Sequence, residues 1–355
     1  MTGRVLQVVP TFAAHDAIGD HIRQVDRLLR RAGYDTGIYA TVVEPGLEER
    51  CRPARELLDG PARDAVVLYH HSTGSTVADH LGARPEPLIV DYHNITPAEM
   101  WDAWEPMVAV ELSWGRRQLH QLAPRTAAAL ADSRFNADEL EACGFAGVQV
   151  APIVRDFGAS DRAPRPYRAR GDPEFLFVGR ISPNKCQHEL ITALAMYRAL
   201  FGAGARLRLV GRVSSPSYRA DLSRLADELG VGGAVIFDDH GVPEPELIGA
   251  YQRATAFVCL SRHEGFCVPL VEAMRHALPV VARAGSAVTD TVSSGGLLLS
   301  DPDPVVVASA WHRVATDAAI WEALSSAALA RAPAFDLEVT SRAFLDAFER
   351  AVRGL

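Results

Sequence analysis

Hydrophobic positions in the first part of the chain follow two alternating periods. Short apolar and β-branched runs, typical of strands, are separated by stretches in which apolar residues recur every three or four positions, as Ile18, Ile22, Val25 and Leu29 do. This pattern predicts strands near 5–9, 37–42, 65–69, 88–92, 127–131 and 148–151, and helices near 18–32, 103–122 and 137–143. Strands that alternate with helices indicate parallel βαβ units and a doubly wound sheet.

A second alternating series follows a segment without this periodicity. Residues 152–173 contain four prolines and five arginines among few apolar positions, which predicts an exposed linker. Beyond it, the pattern predicts strands at 174–178, 206–210, 235–237, 256–260, 280–282 and 297–299, and helices at 187–201, 218–229, 244–253 and 269–276. The last 50 residues are predicted to form helices, the final one at 341–352. We therefore expect an α/β protein of two Rossmann-like domains facing each other across a cleft. The expected boundaries are 1–155 for the first domain, 156–173 for the linker, 174–332 for the second domain and 333–355 for a C-terminal helix.

Composition excludes several classes of protein. The chain has 355 residues, of which 48% are hydrophobic, so two domains can each bury a core. A net charge of −8 argues against nucleic-acid binding. No apolar run approaches the roughly 18 residues of a membrane span, and no signal-peptide pattern opens the chain, which favours a cytoplasmic location. Peripheral membrane contact and the oligomeric state stay open.

The positions of the cysteines and of the candidate metal ligands argue against disulfide and metal sites. Five cysteines are scattered without CxxC spacing, which favours reduced thiols over a disulfide framework or a zinc site. No group of His, Asp and Glu has the sequence spacing of metal ligands. The sequence therefore predicts that no metal or other cofactor is required.

One loop of the second domain is marked by an unusual lysine. Of the 36 basic residues 35 are arginine, and the single lysine is Lys185. Lys185 and Arg180 flank the loop after the strand predicted at 174–178, and Asn184 is the predicted N-cap of the next helix. Two fixed cations at the carboxyl edge of a parallel sheet suit a diphosphate, although a solvated surface loop has the same pattern.

A second loop carries two glutamates. Glu264 precedes Gly265 after the strand predicted at 256–260, and Glu272 lies eight residues later in the next helix. The backbone amides of residues 265–268, at the start of that helix, form a candidate anion site. On spacing alone, a solvated Glu264 and a helix-dipole carboxylate at Glu272 fit equally well.

The order and spacing of these motifs resemble the donor half of glycosyltransferase family 4. The resemblance covers about residues 172–300 and rests on Gly179-Arg180 with Lys185, Gly241-Val242, Tyr251, Glu264-Gly265-Phe266, Pro269 and Glu272. The first half resembles the family less closely, through the opening strand, Gly19 and the segment from Val90 to Asn94. Membership implies the GT-B fold and a retaining transfer from a nucleotide-sugar donor.

The resemblance also implies roles for the donor residues. Arg180 and Lys185 would neutralise the diphosphate without a metal, and Glu264 would contact the transferred sugar. Glu272 would accept hydrogen bonds from the ribose. The remaining donor contacts would come from backbone groups, at Gly265, Phe266, Cys267 and Val268 for the sugar and phosphates and at Gly241 and Val242 for the base. Cys267 departs from the family, which more often has glycine there.

In the first domain the implied roles are fewer. Gly19 would let the first loop approach the phosphates closely, and relatives often have two adjacent glycines where only this one remains. His93 would lie near the sugar C6 and the reaction centre, with a structurally bonded strand-end histidine as the alternative. The C-terminal helix would cross back onto the first domain. Candidate acceptor contacts are Asp20, His71, Ser72 and Asn94.

Three further patterns carry less weight. Residues 69–75 form a polar cluster after a strand, without the nucleophile-elbow pattern, and a cleft-lining role toward the acceptor is expected. Trp101, Trp104 and Trp114 are predicted to lie in one helical segment and to pack rather than stack on sugar. Asp301-Pro-Asp303 matches a metal-binding DxD by letter only.

The predicted function is transfer of a hexosyl group from a UDP- or GDP-sugar to an acceptor hydroxyl with retention. The acceptor class stays open among glycans, lipid-linked sugars and secondary metabolites. Two alternatives remain: a nucleotide-sugar epimerase of the same fold, and a non-catalytic nucleotide-sugar-binding protein. An epimerase needs no acceptor, and a binding protein releases no free nucleotide.

Overall fold

The computed structural model describes residues 3–13, 16–60, 62, 64–158, 166–167, 172–202 and 204–354. Most of the predicted linker, at 159–165 and 168–171, lies outside the described residues.

Strands and helices alternate along the described chain. The strands are β1 (Arg4–Phe12), β2 (Asp35–Val43), β3 (Arg52–Pro53), β4 (Ala65–His71), β5 (Leu88–Tyr92), β6 (Thr126–Ala131), β7 (Gln149–Val150), β8 (Glu174–Val178), β9 (Arg206–Val210), β10 (Val235–Asp238), β11 (Ala256–Cys259), β12 (Val280–Arg283) and β13 (Leu297–Leu299). The helices are α1 (Ala17–Arg31), α2 (Ala54–Leu58), α3 (Thr76–Gly82), α4 (Pro106–Leu122), α5 (Arg134–Ala142), α6 (Gln187–Phe201), α7 (Pro216–Glu228), α8 (Glu244–Arg253), α9 (Val268–Arg275), α10 (Ser286–Val292), α11 (Pro304–Thr316), α12 (Ala318–Arg331) and α13 (Leu337–Arg353).

These elements divide into two compact units. The first unit comprises Met1–Ala98, Met107–Phe157 and Ala334–Leu355, and the second comprises Glu99–Pro106 and Gly158–Pro333. The sequence places residues 99–106 in the first domain, whereas the structure groups them with the second unit. The C-terminal helix α13 lies in the first unit.

The first unit is built on a parallel sheet of seven strands. Their order is β3-β2-β1-β4-β5-β6-β7, so the direction of chain progression reverses between β1 and β4. Helix α13 buries Phe344 and Phe348 in the same core cluster as Val5 and Leu68. Ligands of open α/β sheets bind beyond the carboxyl ends of the strands at such a reversal, here called the switch point.

The second unit repeats this plan with a parallel sheet of six strands. Their order is β10-β9-β8-β11-β12-β13, with the switch point between β8 and β11. Its main core cluster packs α6, α7 and α11 on one face of the sheet, where Phe175 of β8 stacks on Trp311 of α11 with ring centroids 4.4 Å apart. The loops that follow β8 and β11 therefore lie side by side at the site where a ligand is expected.

One predicted helix begins later than the periodicity indicates. The helix predicted near 103–122 starts at Pro106, because proline suits a first helical position and disfavours helical geometry in the residue before it. Trp101 and Trp104 consequently lie in a turn, which corrects their predicted placement in a helix. Trp104 packs edge-on against Tyr218 with centroids 5.0 Å apart, and the Ser215 hydroxyl donates to Glu105 at 2.8 Å.

The sequence pattern does not predict the two-residue strand β3 or the short helices α2 and α10, because they span too few residues to show a period. Among the described helices, none combines the length and the apolar character that crossing a bilayer requires.

Candidate functional site

The two loops predicted to bind the donor are joined by hydrogen bonds at the switch point of the second unit. The backbone N–H of Arg262 donates to the carbonyl of Asn184 at 3.0 Å, and the Asn184 side chain donates to the carbonyl of His263 at 3.2 Å. Asn184 therefore binds across the two loops instead of capping α6, whose N-cap is Cys186 in a left-handed conformation. This corrects the predicted N-cap and gives Asn184 a positioning role.

Lys185 and Glu264 meet across these loops as an ion pair. The Lys185 Nζ lies 2.5 Å from the Glu264 Oε2, and the two side chains are 15% and 6% exposed. Glu264 is thus a buried, paired carboxylate and not a solvated loop residue. An ammonium group has three N–H donors, so Lys185 can bind a second anion while it holds Glu264.

Arg180 supplies a second cation in the loop after β8. Its side chain is exposed, and within the described part of the chain its guanidinium has no ion-pair partner. Its backbone carbonyl accepts a hydrogen bond from the Gln187 side chain at 2.9 Å. The loop backbone is therefore fixed to α6 while the charged end of Arg180 reaches solvent.

The start of α9 has the features of an anion site. Helix α9 begins at Val268 after Cys267, and no side chain of the described residues caps its first turn. Cys267 has φ +68°, a left-handed conformation that glycine adopts most readily, so a glycine would fit this backbone without strain. Phe266 is buried and Gly265 is half-buried. The first-turn amides are therefore not occupied by a cap.

Glu272 and the 241–242 loop occupy the remaining predicted donor positions. The Tyr251 hydroxyl donates to Glu272 Oε2 at 2.7 Å, which joins α8 to α9. Gly241 follows β10 with φ +73°, and Val242 is half-buried beside it. The Glu272 carboxylate is thus held by a buried tyrosine.

Two predicted residues of the first unit lie in α1. Gly19 is the third residue of this helix and not part of a loop, which corrects the prediction. A Cβ at this position would lie 2.0 Å from the carbonyl oxygen of Ala13, so glycine is required for this close backbone approach. Asp20 is engaged by Arg23, and Arg155 Nε lies 3.6 Å from its carboxylate.

His93 follows β5 and is surrounded by buried polar groups. Its Nδ1 lies 3.0 Å from Asp132 Oδ2 and its Nε2 lies 3.0 Å from His70 Nδ1. Burial disfavours the charged ring, but the carboxylates of Asp132 and Asp91 outweigh it and raise the pKa of His93 to about 9. Both ring nitrogens are therefore engaged inside the unit, as in the structural alternative, and a role at the reaction centre stays a prediction.

The acceptor candidates differ in their surroundings. His71 is buried, and its ring contacts the Tyr69 hydroxyl and the Gly115 carbonyl at 3.2 Å each. Burial lowers the pKa of His71 to about 4. Ser72 is half-buried, and Asn94 donates to the Asn136 side chain at 2.9 Å. The paired ring of His71 leaves no free base for Ser72.

Sequence reasoning missed two polar groups. Glu189 of α6 pairs with Arg262 at 2.9 Å and with Arg283, which links the loop after β11 and the end of β12 to α6. The second group surrounds His93: His21, His70 and Asp91, whose side chains are at most 1% exposed. These residues come from α1, β4 and β5, so no local motif connects them. The only available signal was the position of His70 and Asp91 near the carboxyl ends of two neighbouring strands, β4 and β5.

The proton states of this group follow from burial and charge. Burial lowers the pKa of His70 to about 4, which keeps its ring neutral. Burial also disfavours ionised Asp91, but the neighbouring histidines hold its pKa well below the ordinary value. Asp132 has a raised pKa, chiefly because it is buried.

Similarity to known proteins agrees with the geometry. Residues 161–328 match the family of glycosyl transferases group 1. A D-inositol 3-phosphate glycosyltransferase from Frankia alni is 32% identical over 184 residues, which cover 50% of this chain and 45% of that protein. The chain thus spans about half the length of this curated relative.

Solved structures extend the similarity to the whole chain. Anabaena HepE in complex with UDP and glucose superposes with a TM-score of 0.75 at 16% identity, covering 98% of this chain and 100% of that chain. Sucrose-phosphate synthase from Thermosynechococcus elongatus gives 0.73 at 18% identity, covering 99% and 100%. The protein therefore has the GT-B glycosyltransferase fold that its motifs predict. The similarity to the glycosyl transferases group 1 covers residues 161–328, in the second half of the chain.

Proposed function

We propose that this protein is a retaining glycosyltransferase of family 4 that moves a hexosyl group from a UDP- or GDP-sugar to an acceptor hydroxyl. The observation that carries the proposal is the ion pair between Lys185 and Glu264, formed across the loops after β8 and β11 at the switch point of the second unit. The predicted donor residues thereby share one edge of one sheet, where a nucleotide ligand of such a fold is expected.

The leaving diphosphate is stabilised by fixed cations. Lys185 is held by Glu264, and Arg180 extends from the same loop into solvent. Such preorganised charges stabilise negative charge that develops as the sugar leaves. The uncapped first turn of α9 adds backbone N–H donors. In this proposal no divalent metal is needed at the diphosphate.

Glu264 has two tasks in this mechanism. It orients Lys185 in the free protein, and it contacts the transferred sugar when the donor is bound. The pairing keeps a buried carboxylate from repelling the incoming diphosphate, because Lys185 already balances its charge. The departing phosphate oxygen accepts the proton of the acceptor hydroxyl, and the acceptor oxygen bonds to the anomeric carbon on the same face.

Glu272 binds the ribose hydroxyls, and the backbone of Gly241 and Val242 lies beside the base. The hydrogen bond from Tyr251 keeps the Glu272 carboxylate in one orientation before the donor arrives. These contacts do not change as the sugar leaves, so they contribute to donor binding and not to turnover.

The names of similar proteins guide the choice of donor and acceptor. HepE is described in complex with UDP and glucose, which supports UDP-glucose as the first donor to test. A relative is named for D-inositol 3-phosphate, so a phosphorylated polyol belongs in the acceptor panel with glycan, lipid-linked and aglycone hydroxyls. A cytoplasmic location remains a prediction.

The test is a release assay with purified protein. UDP- and GDP-sugars are incubated with each acceptor, free nucleoside diphosphate is quantified, and the anomeric configuration of the product is read by NMR. The proposal expects acceptor-dependent release and a retained anomer. Isomerised donor without acceptor would identify an epimerase, and binding without release would identify a binding protein. An inverted product would refute the retaining assignment.

Independence of the diphosphate from metal is tested by binding. The affinity for UDP or GDP, measured by calorimetry, is expected to agree within about twofold between EDTA and magnesium or manganese buffers. Binding that appears only with added magnesium or manganese would overturn this part of the proposal.

A further inference from the structure

A buried group of three histidines and one aspartate lies at the switch point of the first unit. His21 comes from α1, His70 from the end of β4, Asp91 from β5 and His93 from the residue after β5. One side-chain atom of each lies within 4.8 Å of the corresponding atoms of the others. The side chains are at most 1% exposed. Whether these atoms can bind a metal depends on which of them carry protons and which carry lone pairs.

Backbone contacts define the proton positions on His21. The backbone N–H of Val154 donates to His21 Nδ1 at 2.9 Å, so this nitrogen carries a lone pair. In the neutral ring the proton is therefore on Nε2, which donates to Asp91 Oδ2 at 2.9 Å. His21 is thus a hydrogen-bond donor to the carboxylate and has no second lone pair to offer.

A similar chain of contacts defines His70. The amide of Gln7 donates to the carbonyl of Ile22 at 3.4 Å, so its oxygen faces His70 Nε2 at 3.0 Å. His70 Nε2 consequently carries the proton and Nδ1 carries the lone pair. That lone pair lies 3.3 Å from Asp91 Oδ2 and 3.0 Å from His93 Nε2.

His93 faces the same point with its Nε2. Its Nδ1 lies 3.0 Å from Asp132 Oδ2, which orients the ring as a carboxylate does for a metal-binding histidine. His93 Nε2 lies 3.7 Å from Asp91 Oδ2. The three edges between His70 Nδ1, His93 Nε2 and Asp91 Oδ2 are thus 3.0, 3.3 and 3.7 Å. Ligands of a tetrahedral metal with bonds of about 2.0 to 2.1 Å are about 3.3 Å apart.

The remaining oxygen of Asp91 distinguishes a metal from a shared proton. Asp91 Oδ1 is buried, and among the described residues it has no hydrogen-bond partner. A proton between His70 and His93 would satisfy two nitrogens and still leave this oxygen unpaired. A cation at the centre of the triangle would be bound by Asp91 Oδ2 and by both nitrogen lone pairs, and its charge would balance the buried carboxylate that the hydrogen bonds satisfy on one oxygen only.

We propose that His70, Asp91 and His93 bind one divalent transition metal in the first unit. Two imidazoles and a carboxylate favour zinc or a neighbouring first-row metal over magnesium, which prefers an all-oxygen set. Gln7, Asp132 and His21 form the surrounding shell that orients the three ligands. All of these residues belong to the first unit. In this proposal His93 is a metal ligand and does not take the role at the reaction centre that the resemblance implies.

Metal content of the folded protein tests the site directly. The full chain is expressed with added zinc, purified without chelator and analysed by mass spectrometry for metals. The variants are His70→Gln and Asp91→Asn, with His71→Gln as the matched control, since it removes an equally buried imidazole from the neighbouring position of the same strand. We expect about one equivalent in the wild type and in His71→Gln, and at least a tenfold loss in the two ligand variants.

A second measurement covers variants that fail to fold. Chelator-treated wild-type protein is titrated with zinc in competition with a chromogenic chelator, and with cobalt, whose visible absorption reports nitrogen and oxygen ligation. One saturable site with a tetrahedral cobalt spectrum is expected. The proposal is overturned if the folded wild type takes up no metal in either experiment, or if His70→Gln and Asp91→Asn retain as much metal as the wild type.

Discussion

At the switch point of the second unit, Lys185 and Glu264 pair while keeping 15% and 6% of their side chains exposed. At the switch point of the first unit, the side chains of three histidines and Asp91 are at most 1% exposed. The same sheet topology therefore carries an ion pair whose lysine is partly exposed in one unit and a fully enclosed polar cluster in the other.

The charged side chains at the two switch points therefore suit different kinds of binding. A cation near solvent, such as Lys185, can add a ligand's phosphate to its existing partner, and the ligand can leave again. The histidine cluster cannot exchange its contacts without opening the core around it. Reversible donor binding therefore suits the second unit, and a permanently held ion suits the first.

The largest expected effect comes from opening the enclosed cluster. Phe344 of α13 is fully buried and packs edge-on against His21, with ring centroids 5.4 Å apart. We expect Phe344→Ala to lower the free energy of unfolding by about 3 to 5 kcal/mol, because it leaves a cavity in the core of the first unit. Equilibrium urea unfolding followed by circular dichroism measures it.

The matched control for this variant is Arg342→Ala on the same helix, whose side chain is 72% exposed and whose loss should cost less than about 0.5 kcal/mol. Under conditions in which Phe344→Ala is folded, the variant should still bind UDP. A loss of stability no larger than the control's would contradict the packing described for α13.

The next largest effect is expected on the kcat when Glu264 of the ion pair is substituted. Glu264→Gln preserves the size of the side chain and removes its negative charge. In the proposed mechanism this charge interacts more strongly with the transferred sugar as the sugar develops positive character. We expect the kcat to fall by about 100- to 1,000-fold, the range for loss of one preorganised electrostatic contact. Steady-state kinetics with saturating acceptor measure this, and the exposed Glu322→Gln serves as a control. An unchanged kcat would reject the assigned role of Glu264.

A smaller effect is expected at the ribose contact. Glu272→Gln should raise the donor KM by about tenfold and leave the kcat within about twofold, because ribose binding is similar in the ground and transition states. Tyr251→Phe, which removes the hydroxyl 2.7 Å from Glu272, should raise the KM less. If instead Glu272→Gln lowered the kcat and Glu264→Gln raised only the KM, the two roles would have to be exchanged.

The two switch points also differ in how far the sequence predicts them. The donor residues lie in three short motifs that each follow a strand, so the strand-loop-helix pattern predicted β8, α6 and their neighbours together with the residues at their ends. Their shared edge follows from parallel topology. The pairing of Lys185 with Glu264 and the binding of Asn184 across the loops depend on exact backbone paths, which the pattern does not contain.

Local sequence patterns do not predict the histidine cluster. Its members are separated by up to 72 positions, from His21 to His93, and each belongs to a different element or loop. The periodicity predicted strands at 65–69 and 88–92, but β4 extends to His71 and so carries His70 to the carboxyl edge. Only the strand order brings these residues into contact with α1.

The most direct test of the central claim measures what Lys185 binds. Calorimetry compares UDP or GDP, whichever binds the wild type more tightly, with the matching nucleoside. Lys185→Ala should weaken nucleoside diphosphate binding by about 10- to 100-fold, equivalent to about 1.5 to 3 kcal/mol for a hydrogen bond to a charged group, and leave nucleoside binding unchanged. The exposed Arg224→Ala, on α7, should affect neither ligand. Equal weakening of both ligands by Lys185→Ala would contradict the account, because the lysine would then support the fold of the loops and not the diphosphate.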